Sequence, residues 1–145
     1  MSKVYIYLDG SCSGTGNDTE HAQAGWAYVM IDPAGDETTR KGKVSGRQTV
    51  NRAEISALME AMSCLGDFLG KIGHVVFYSD SELLIDGVLG KSKRKANRDI
   101  WIEVEKLFVE LREHMVFEIQ HVSREENKAD KPAKEAAHSL IIPIA

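Results

Sequence analysis

Residues 74–80, HVVFYSD, decide the fold, because an apolar strand in the middle of the chain ends here on an acid. Residues 4–9, VYIYLD, repeat that arrangement, with aliphatic side chains on one face and tyrosines on the other. If the two strands are parallel neighbours, Asp9 and Asp80 lie side by side at their carboxyl ends, where open α/β sheets bind ligands. Taken singly, Asp9 also fits a turn before Gly10, and Asp80 fits a helix N-cap. Their pairing favours a functional site at this edge of the sheet.

The remaining segments surround these two strands with three more strands and four helices. Strands are expected at 24–31, 38–44 and 116–122, and helices at 51–69, 81–89, 98–114 and 131–140, with a polar loop over 10–21. The order β-β-β-α-β-α-α-β-α predicts an α/β domain with a mixed sheet of five strands. Because no repeat or Pro/Ser-rich linker interrupts the chain, we expect residues 1–145 to form a single domain.

Composition narrows the class of protein. The 145 residues suit one domain, and 43% hydrophobic with 28% charged residues exclude a disordered or fibrous chain. With 18 basic and 22 acidic residues the net charge is −4, so any binding of nucleic acid must come from a local patch. Cys12 and Cys64 come without a secretory or membrane-type apolar segment, so we expect reduced thiols, a cytoplasmic location and no membrane association.

Two further acids lie at positions that exposure to solvent alone does not explain. At about 100° per residue, Glu54 falls about 40° from Leu58 and about 20° from Leu65, so it faces the sheet. The alternative is a first-turn glutamate favoured by the helix dipole. Asp130 lies shortly before Pro132, a residue suited to the first turn of a helix. We therefore expect Asp130 at or just before the N-cap of the last helix.

Four carboxylates gathered from separate elements repel one another, and without counter-ions some of them would be protonated. Divalent cations remove that repulsion. Oxygen ligands without clustered His or Cys favour Mg²⁺, with Mn²⁺ as the alternative. Two such ions about 4 Å apart are the usual apparatus for in-line displacement at phosphorus. The four acids therefore predict phosphodiester hydrolysis.

Four segments then resemble, in order and spacing, the active-site blocks of type 1 ribonuclease H. They are YLDGS (7–11), NRAEISAL (51–58), YSDSELLI (78–85) and HVSREENKADKPAKEAA (121–137). The resemblance implies a ribonuclease H-like fold, with three antiparallel strands and then two parallel ones flanked by helices. It also implies a monomeric endonuclease that cuts the RNA strand of RNA–DNA hybrids, leaving 5′-phosphate and 3′-hydroxyl ends. By position, the metal-binding catalytic acids would be Asp9, Glu54, Asp80 and Asp130.

Substrate contacts carry over from the same resemblance. Gly10, Ser11 and Cys12 match the loop that approaches the minor groove, where 2′-hydroxyls distinguish RNA from DNA. Thr49 and Asn51 match polar positions before the catalytic helix that touch the nucleic-acid backbone and base edges.

Residues 91–98, KSKRKANR, carry five positive charges and no acid, and are called the basic segment below. A solvated loop is the plain interpretation. The segment also lies where ribonuclease H relatives carry a basic protrusion that grips the DNA strand, so we expect Lys93, Arg94 and Lys95 to bind phosphates. Trp101 falls on the apolar face of the following helix and is expected in the core.

Three departures from the family pattern keep a non-catalytic alternative open, beside a second enzymatic one. Val50 replaces a common Asn, Glu82 replaces a common Gln, and the loop before Asp130 is shortened and lacks the usual His. His121 lies in a strand pattern and is expected to be a structural, partly buried residue. The alternatives are a nuclease of the same fold that acts on DNA and a nucleic-acid-binding module with weak or no catalysis.

Overall fold

The computed structural model of the protein describes residues 2–14 and 22–138. Its strands are β1 (Ser2–Ser13), β2 (Gln23–Ile31), β3 (Glu37–Lys43), β4 (Ile72–Ser79) and β5 (Val116–His121). Its α-helices are α1 (Val50–Leu65), α2 (Glu82–Val88), α3 (Arg98–Leu111) and α4 (Asp130–His138), with short 3₁₀ turns at Gly66–Phe68 and Arg124–Glu126. Each predicted strand and helix is present, in the predicted order. The single domain over 1–145 stays a prediction.

The five strands form one mixed sheet in the order β3-β2-β1-β4-β5. β1 pairs antiparallel with β2, and β2 pairs antiparallel with β3, whereas β1–β4 and β4–β5 are parallel pairs. This confirms the predicted fold class. It also confirms that β1 and β4 are parallel neighbours, so that Asp9 and Asp80 belong to the same edge of the sheet.

The first strand is longer than predicted, and this corrects the interpretation of residues 10–13 as loop. Parallel pairing with β4 ends at Tyr7–Tyr78, but antiparallel pairing with β2 continues to Ser13–Gln23. Asp9 therefore lies inside β1, at the first residue beyond the end of its parallel neighbour, rather than at the end of a strand. The polar composition of this stretch hid its strand character, because one flank is open while the other is fully paired. Residues 15–21 of the predicted loop lie outside the described residues.

The main core lies between the sheet and α1 and α3. Ile6 and Leu8 are completely buried there, against Leu58 and Met62 of α1. Alternation along β1 places these aliphatic side chains on one face, as predicted. Trp101 of α3 is 6% exposed and belongs to the same core, which also agrees with the sequence. The packing fixes α1, and with it Glu54, against the middle of the sheet.

Helix α4 covers the other face over β1, β2 and β3. Its Ala133 packs with Ala27 and Val29 of β2 and with Tyr7 of β1. An ideal Cβ on Gly25 would lie 2.4 Å from the Ala137 nitrogen, so the helix rests directly on the strand backbone at this point. This docking brings the first turn of α4 to the sheet edge that carries Asp9.

Four local expectations need correction. Helix α1 ends at Leu65 and is followed by a 3₁₀ turn, and Leu69 is 46% exposed rather than part of the apolar face. Asp130 is the first residue of α4 and not its N-cap. His121 is exposed at the end of β5 and is not the partly buried residue expected. Residues 139–140, predicted to end the last helix, lie outside the described range.

Within the described residues, no helix is both long enough and apolar enough to cross a membrane.

Candidate metal centre and nucleic-acid interface

Three carboxylates meet at the edge where β1 outruns β4. Asp9 lies within β1, Glu54 in the first half of α1, and Asp80 directly after β4. One carboxylate oxygen from each lies within 4.8 Å of the others. Asp9 and Glu54 are buried, and Asp80 is partly exposed at the mouth. These three residues are called the acidic cluster below, and the structure brings them together as the sequence predicted.

Gly10 makes the approach of Glu54 possible. A Cβ on Gly10 would lie 2.5 Å from the Glu54 nitrogen and 2.6 Å from the Ala53 carbonyl carbon, closer than any side chain allows. The Gly10 N–H also donates to Asp9 Oδ1 at 2.9 Å. Because α1 packs directly on the β1 backbone at Gly10, the Glu54 carboxyl group lies close to that of Asp9.

Burial and mutual repulsion make ionisation of the cluster costly. Burial, followed by the charge of Asp80, raises the pKa of Asp9 to about 7 despite the Gly10 N–H. Burial, followed by the charges of Asp9 and Asp80, raises the pKa of Glu54 well above its usual value. Glu54 Oε2 is buried and has no hydrogen-bond partner among the described residues. A buried carboxylate oxygen that has no hydrogen-bond partner and lies close to two other carboxylates is suited to bind a cation.

The fourth acid lies beside the acidic cluster and has cationic partners of its own. Asp130 shares a hydrogen bond with Asp9, but its oxygens also accept from Lys134 Nζ at 3.1 Å and Arg124 Nε at 3.3 Å. Burial opposes ionisation of Asp130, yet the hydrogen bonds from Lys134 and Asp9 and the two nearby cations lower its pKa. Asp130 thus lies beside the cluster as an ionised carboxylate with its own counter-ions.

Two polar residues that sequence reasoning did not assign to the site support its elements. Asn127 is buried between β1, Asp80 and the start of α4. Arg52 of α1 is 8% exposed and binds Asp99 bidentately, at 3.0 and 2.8 Å, while its Nε donates to the Ser45 carbonyl at 2.7 Å. The Arg52 hydrogen bonds lower the pKa of Asp99 to about 2. Asn127 carries one readable signal, since an Asn just before a helix often accepts a backbone N–H; Arg52 carries none.

The basic segment lies beside Glu54, across a cleft of about 330 Å³. One wall of the cleft is formed by Asn51, Glu54 and Ile55 of α1, and the opposite wall by residues 92–97. Lys93 and Lys95 are exposed on this wall. The cleft therefore runs from Glu54 of the acidic cluster to two exposed lysines, Lys93 and Lys95.

Arg94 differs from its neighbours in the basic segment. Its guanidinium stacks over the Trp101 ring at 4.4 Å, donates to the Gly87 carbonyl at 2.7 Å and forms an ion pair with Glu105. These contacts hold the segment onto α2 and α3. The structure thus uses Arg94 to anchor the segment, and leaves Lys93 and Lys95 available to a ligand.

The other expected substrate residues surround the cluster. Gly10, Ser11 and Cys12 continue β1 beyond Asp9, and the Cys12 thiol points to the Gln48 carbonyl at 3.6 Å, where burial raises its pKa. Thr49 is the N-cap of α1 and accepts from the Arg52 N–H, so it has a structural role of its own. Asn51 is exposed in the cleft.

The acidic cluster fits a divalent cation. It offers hard carboxylate oxygens from three elements, one of them buried and unpartnered, and the residues grouped there include no His or Cys. A mixed α/β sheet with such a cluster where the parallel pairing of its strands ends, next to a basic segment, is typical of an enzyme that acts on a polyanion.

Comparisons with known proteins give the family. The family model of RNase H matches residues 1–138. A Clostridium botulinum protein named Ribonuclease H is 30% identical over 155 aligned positions, covering 94% of this chain and 96% of the relative. LC11-RNase H1, isolated from compost by a metagenomic approach, is 30% identical with a TM-score of 0.77, covering 94% of this chain and 96% of its own. Its structure with an RNA/DNA hybrid matches at 28% identity and a TM-score of 0.74, covering 92% and 96%. The chain belongs to the RNase H family, a family of endoribonucleases.

Proposed function

We propose that this chain cuts the RNA strand of RNA–DNA hybrids endonucleolytically, giving 5′-phosphate and 3′-hydroxyl ends. The acidic cluster and Asp130 would hold two divalent cations, Mg²⁺ in preference to Mn²⁺. One observation carries the proposal: three carboxylates converge within 4.8 Å, with a buried oxygen unpartnered, in a chain of the RNase H family. That a similar protein, LC11-RNase H1, has been solved with an RNA/DNA hybrid supports the substrate class.

Divalent cations bound there supply an activated water and stabilise the charge that develops on the departing 3′-oxygen. The chain's part is to present oxygens at fixed positions. Gly10 lets Glu54 reach Asp9, while β1 and β4 fix the spacing of Asp9 and Asp80. Asp130 enters from α4 and is held by Lys134 and Arg124. Because these elements are packed before substrate arrives, little reorganisation is needed in the reaction itself.

The hybrid would lie across the cluster with its phosphates on the basic segment. Lys93 and Lys95 are exposed and free to contact the DNA strand, while Arg94 anchors the segment that carries them. Gly10, Ser11 and Cys12 would meet the minor groove, where the 2′-hydroxyl marks the RNA strand. Asn51, exposed in the cleft, would add contacts to the backbone and base edges.

Location and assembly extend the same proposal. Cys12 and Cys64 are free thiols, which suits the reducing cytoplasm that we propose for the protein. We also propose that it acts as a monomer and binds no membrane.

Cleavage of end-labelled duplexes tests the proposal. RNA–DNA hybrid, duplex DNA and duplex RNA of one sequence are incubated with the protein, with and without about 5 mM Mg²⁺, and the product ends are analysed. We expect internal cuts in the RNA strand of the hybrid alone, only with metal, leaving 3′-hydroxyl ends. Cleavage of duplex DNA would favour a DNA nuclease of the same fold. Binding of the hybrid without turnover in the presence of Mg²⁺ would favour a binding module, and either of these two outcomes would reject the proposal.

A further inference from the structure

Asn127 is the polar side chain at which three of the acid-bearing elements meet. It is 5% exposed, and it follows the 3₁₀ turn Arg124–Glu126 just before α4. Its Nδ2 donates to the Leu8 carbonyl at 2.9 Å and reaches Asp80 Oδ2 at 3.5 Å. Its Oδ1 accepts the Ala129 N–H at 3.1 Å. One side chain thereby contacts the residue before Asp9, the Asp80 carboxylate and the turn that leads into Asp130.

The hydrogen bond from the Asn127 amide to the Leu8 carbonyl takes the place of a strand-to-strand hydrogen bond that β4 does not supply. Parallel pairing between β1 and β4 ends at Tyr7–Tyr78, so the Leu8 carbonyl lies just beyond the last strand pair on that side. Leu8 itself is completely buried. A buried carbonyl without a donor is costly, and the Asn127 amide supplies the donor that β4 no longer can. The Asn127 amide therefore bonds to β1 at the point where β1 and β4 cease to pair, and the acidic cluster lies at this point.

The same residue sets the position of α4. The Asn127 carbonyl accepts the Asp130 N–H at 3.1 Å, so its backbone fixes the residue that begins the helix. Its side chain caps the short turn at Ala129, which is completely buried. A shift of Asn127 would therefore move Asp130 relative to Asp9 and Asp80 at the same time.

We infer that Asn127 is a positioning residue that sets the separation and orientation of Asp9, Asp80 and Asp130, and that divalent-cation affinity and turnover depend on it while affinity for the hybrid does not. This inference rests on the proposed function. Asn127 has no free donor left for substrate, since both polar ends of its side chain are engaged within the protein. Its effect is exerted through the carboxylates that it holds.

Two substitutions separate this role from simple loss of stability. Asn127→Ala removes the donor to Leu8 and the contact with Asp80. Asn127→Asp keeps the shape but replaces the donor by an acceptor that faces a carbonyl and a carboxylate, so it adds charge to the site while losing the positioning bond. Ile72→Ala is the matched control, because it truncates a buried side chain at the far end of β4 from Asp80.

The test measures Mn²⁺ binding by calorimetry without nucleic acid, and hybrid cleavage at saturating metal, for the wild type and all three variants. We expect Asn127→Ala to weaken Mn²⁺ binding at least about fivefold and to lower kcat at least about tenfold, with KM within about twofold. Asn127→Asp should lower kcat by a similar factor whatever its Mn²⁺ affinity. Ile72→Ala should lower the unfolding temperature but leave Mn²⁺ affinity and kcat unchanged.

Three results would overturn the inference. They are wild-type kcat in either Asn127 variant, wild-type Mn²⁺ affinity in Asn127→Ala, or equal losses in Ile72→Ala, which would mark a general effect of destabilisation. Failure of the proposed function looks different, because the wild type itself would then bind no Mn²⁺ and leave the hybrid intact.

Discussion

The acidic cluster and the basic segment face each other across one cleft, yet charge is used differently in each. In the cluster, two buried carboxyl groups lie beside a third, and Glu54 Oε2 has no hydrogen-bond partner within residues 2–14 and 22–138. In the basic segment, Lys93 and Lys95 are exposed, while Arg94 is partly buried, paired with Glu105 and stacked on Trp101. Like charges that are buried together need a counter-ion to stay ionised. Exposed charges along a loop can instead attract a polyanion through the solvent.

This difference predicts which kinetic constant each region controls. A change in the cluster alters the geometry of cation ligands and therefore kcat. A change in the basic segment should alter its proposed contacts with phosphates and therefore KM, because such contacts are uniform, salt-dependent and shared by ground state and transition state. The predictions below test this division, starting with the larger effect.

Replacing a cluster acid by its amide should abolish turnover without unfolding the protein. Asp9→Asn and Asp80→Asn keep the side-chain volume but remove a charged ligand. We expect kcat to fall at least about a thousandfold, equal to about 4 kcal/mol of transition-state stabilisation. Because the amide also relieves like-charge repulsion, the unfolding temperature without metal should rise for Asp9→Asn.

Asp67→Asn is the matched control, since Asp67 is exposed on the 3₁₀ turn after α1 and should leave kcat unchanged. Cleavage of labelled hybrid at saturating substrate and thermal unfolding measure both effects. Cluster variants that cut within about tenfold of the wild type would break the division, because the acids would then not act as essential ligands.

Removing the two exposed lysines should have a smaller effect, confined to affinity. For Lys93→Ala/Lys95→Ala we expect KM to rise about three- to tenfold, with kcat within about twofold. The slope of log affinity against log salt should become shallower by about 1 for each lysine that contacts a phosphate. Hybrid binding measured over a salt series, together with steady-state kinetics, gives both values.

The control Lys3→Ala/Lys71→Ala removes the same charge from the opposite end of the parallel strands. It should change neither KM nor the salt slope beyond the general effect of net charge. An unchanged slope in the Lys93/Lys95 variant would return the basic segment to the status of a solvated loop.

Sequence alone predicted the sheet, because alternation in β1 and the apolar run of β4 identify two strands, and the order of elements along the chain favours a mixed sheet of five strands. It also placed Glu54 correctly, since 3.6-residue periodicity determines the direction in which a helical side chain points. These predictions succeeded where one physical rule acts along one element.

What sequence missed depends on contacts between distant elements. The extension of β1 to Ser13 exists because β2 pairs with it, and no local pattern reports that partner. The engagement of Arg94 with Trp101 and Glu105 likewise depends on how α3 docks beneath the basic segment. The role of Asn127 depends on a backbone carbonyl more than a hundred residues away, at Leu8.

The effect of Mg²⁺ on stability as a function of pH shows directly whether the acidic cluster needs a cation. In the folded metal-free protein the pKa of Asp9 is raised to about 7 from 3.8. Between those values the folded state holds a proton that the unfolded state has lost, so the stability that Asp9 contributes is greatest at low pH and is lost as pH rises through 7. Mg²⁺ bound to the ionised cluster would restore stability at high pH.

We therefore expect the metal-free wild type to unfold several degrees lower at about pH 8 than at about pH 5, with Mg²⁺ recovering most of the loss at the higher pH and little at the lower. Asp9→Asn should show a smaller fall and almost no response to Mg²⁺. An unfolding temperature that is independent of Mg²⁺ at high pH in the wild type, or that responds equally in Asp9→Asn, would contradict the account.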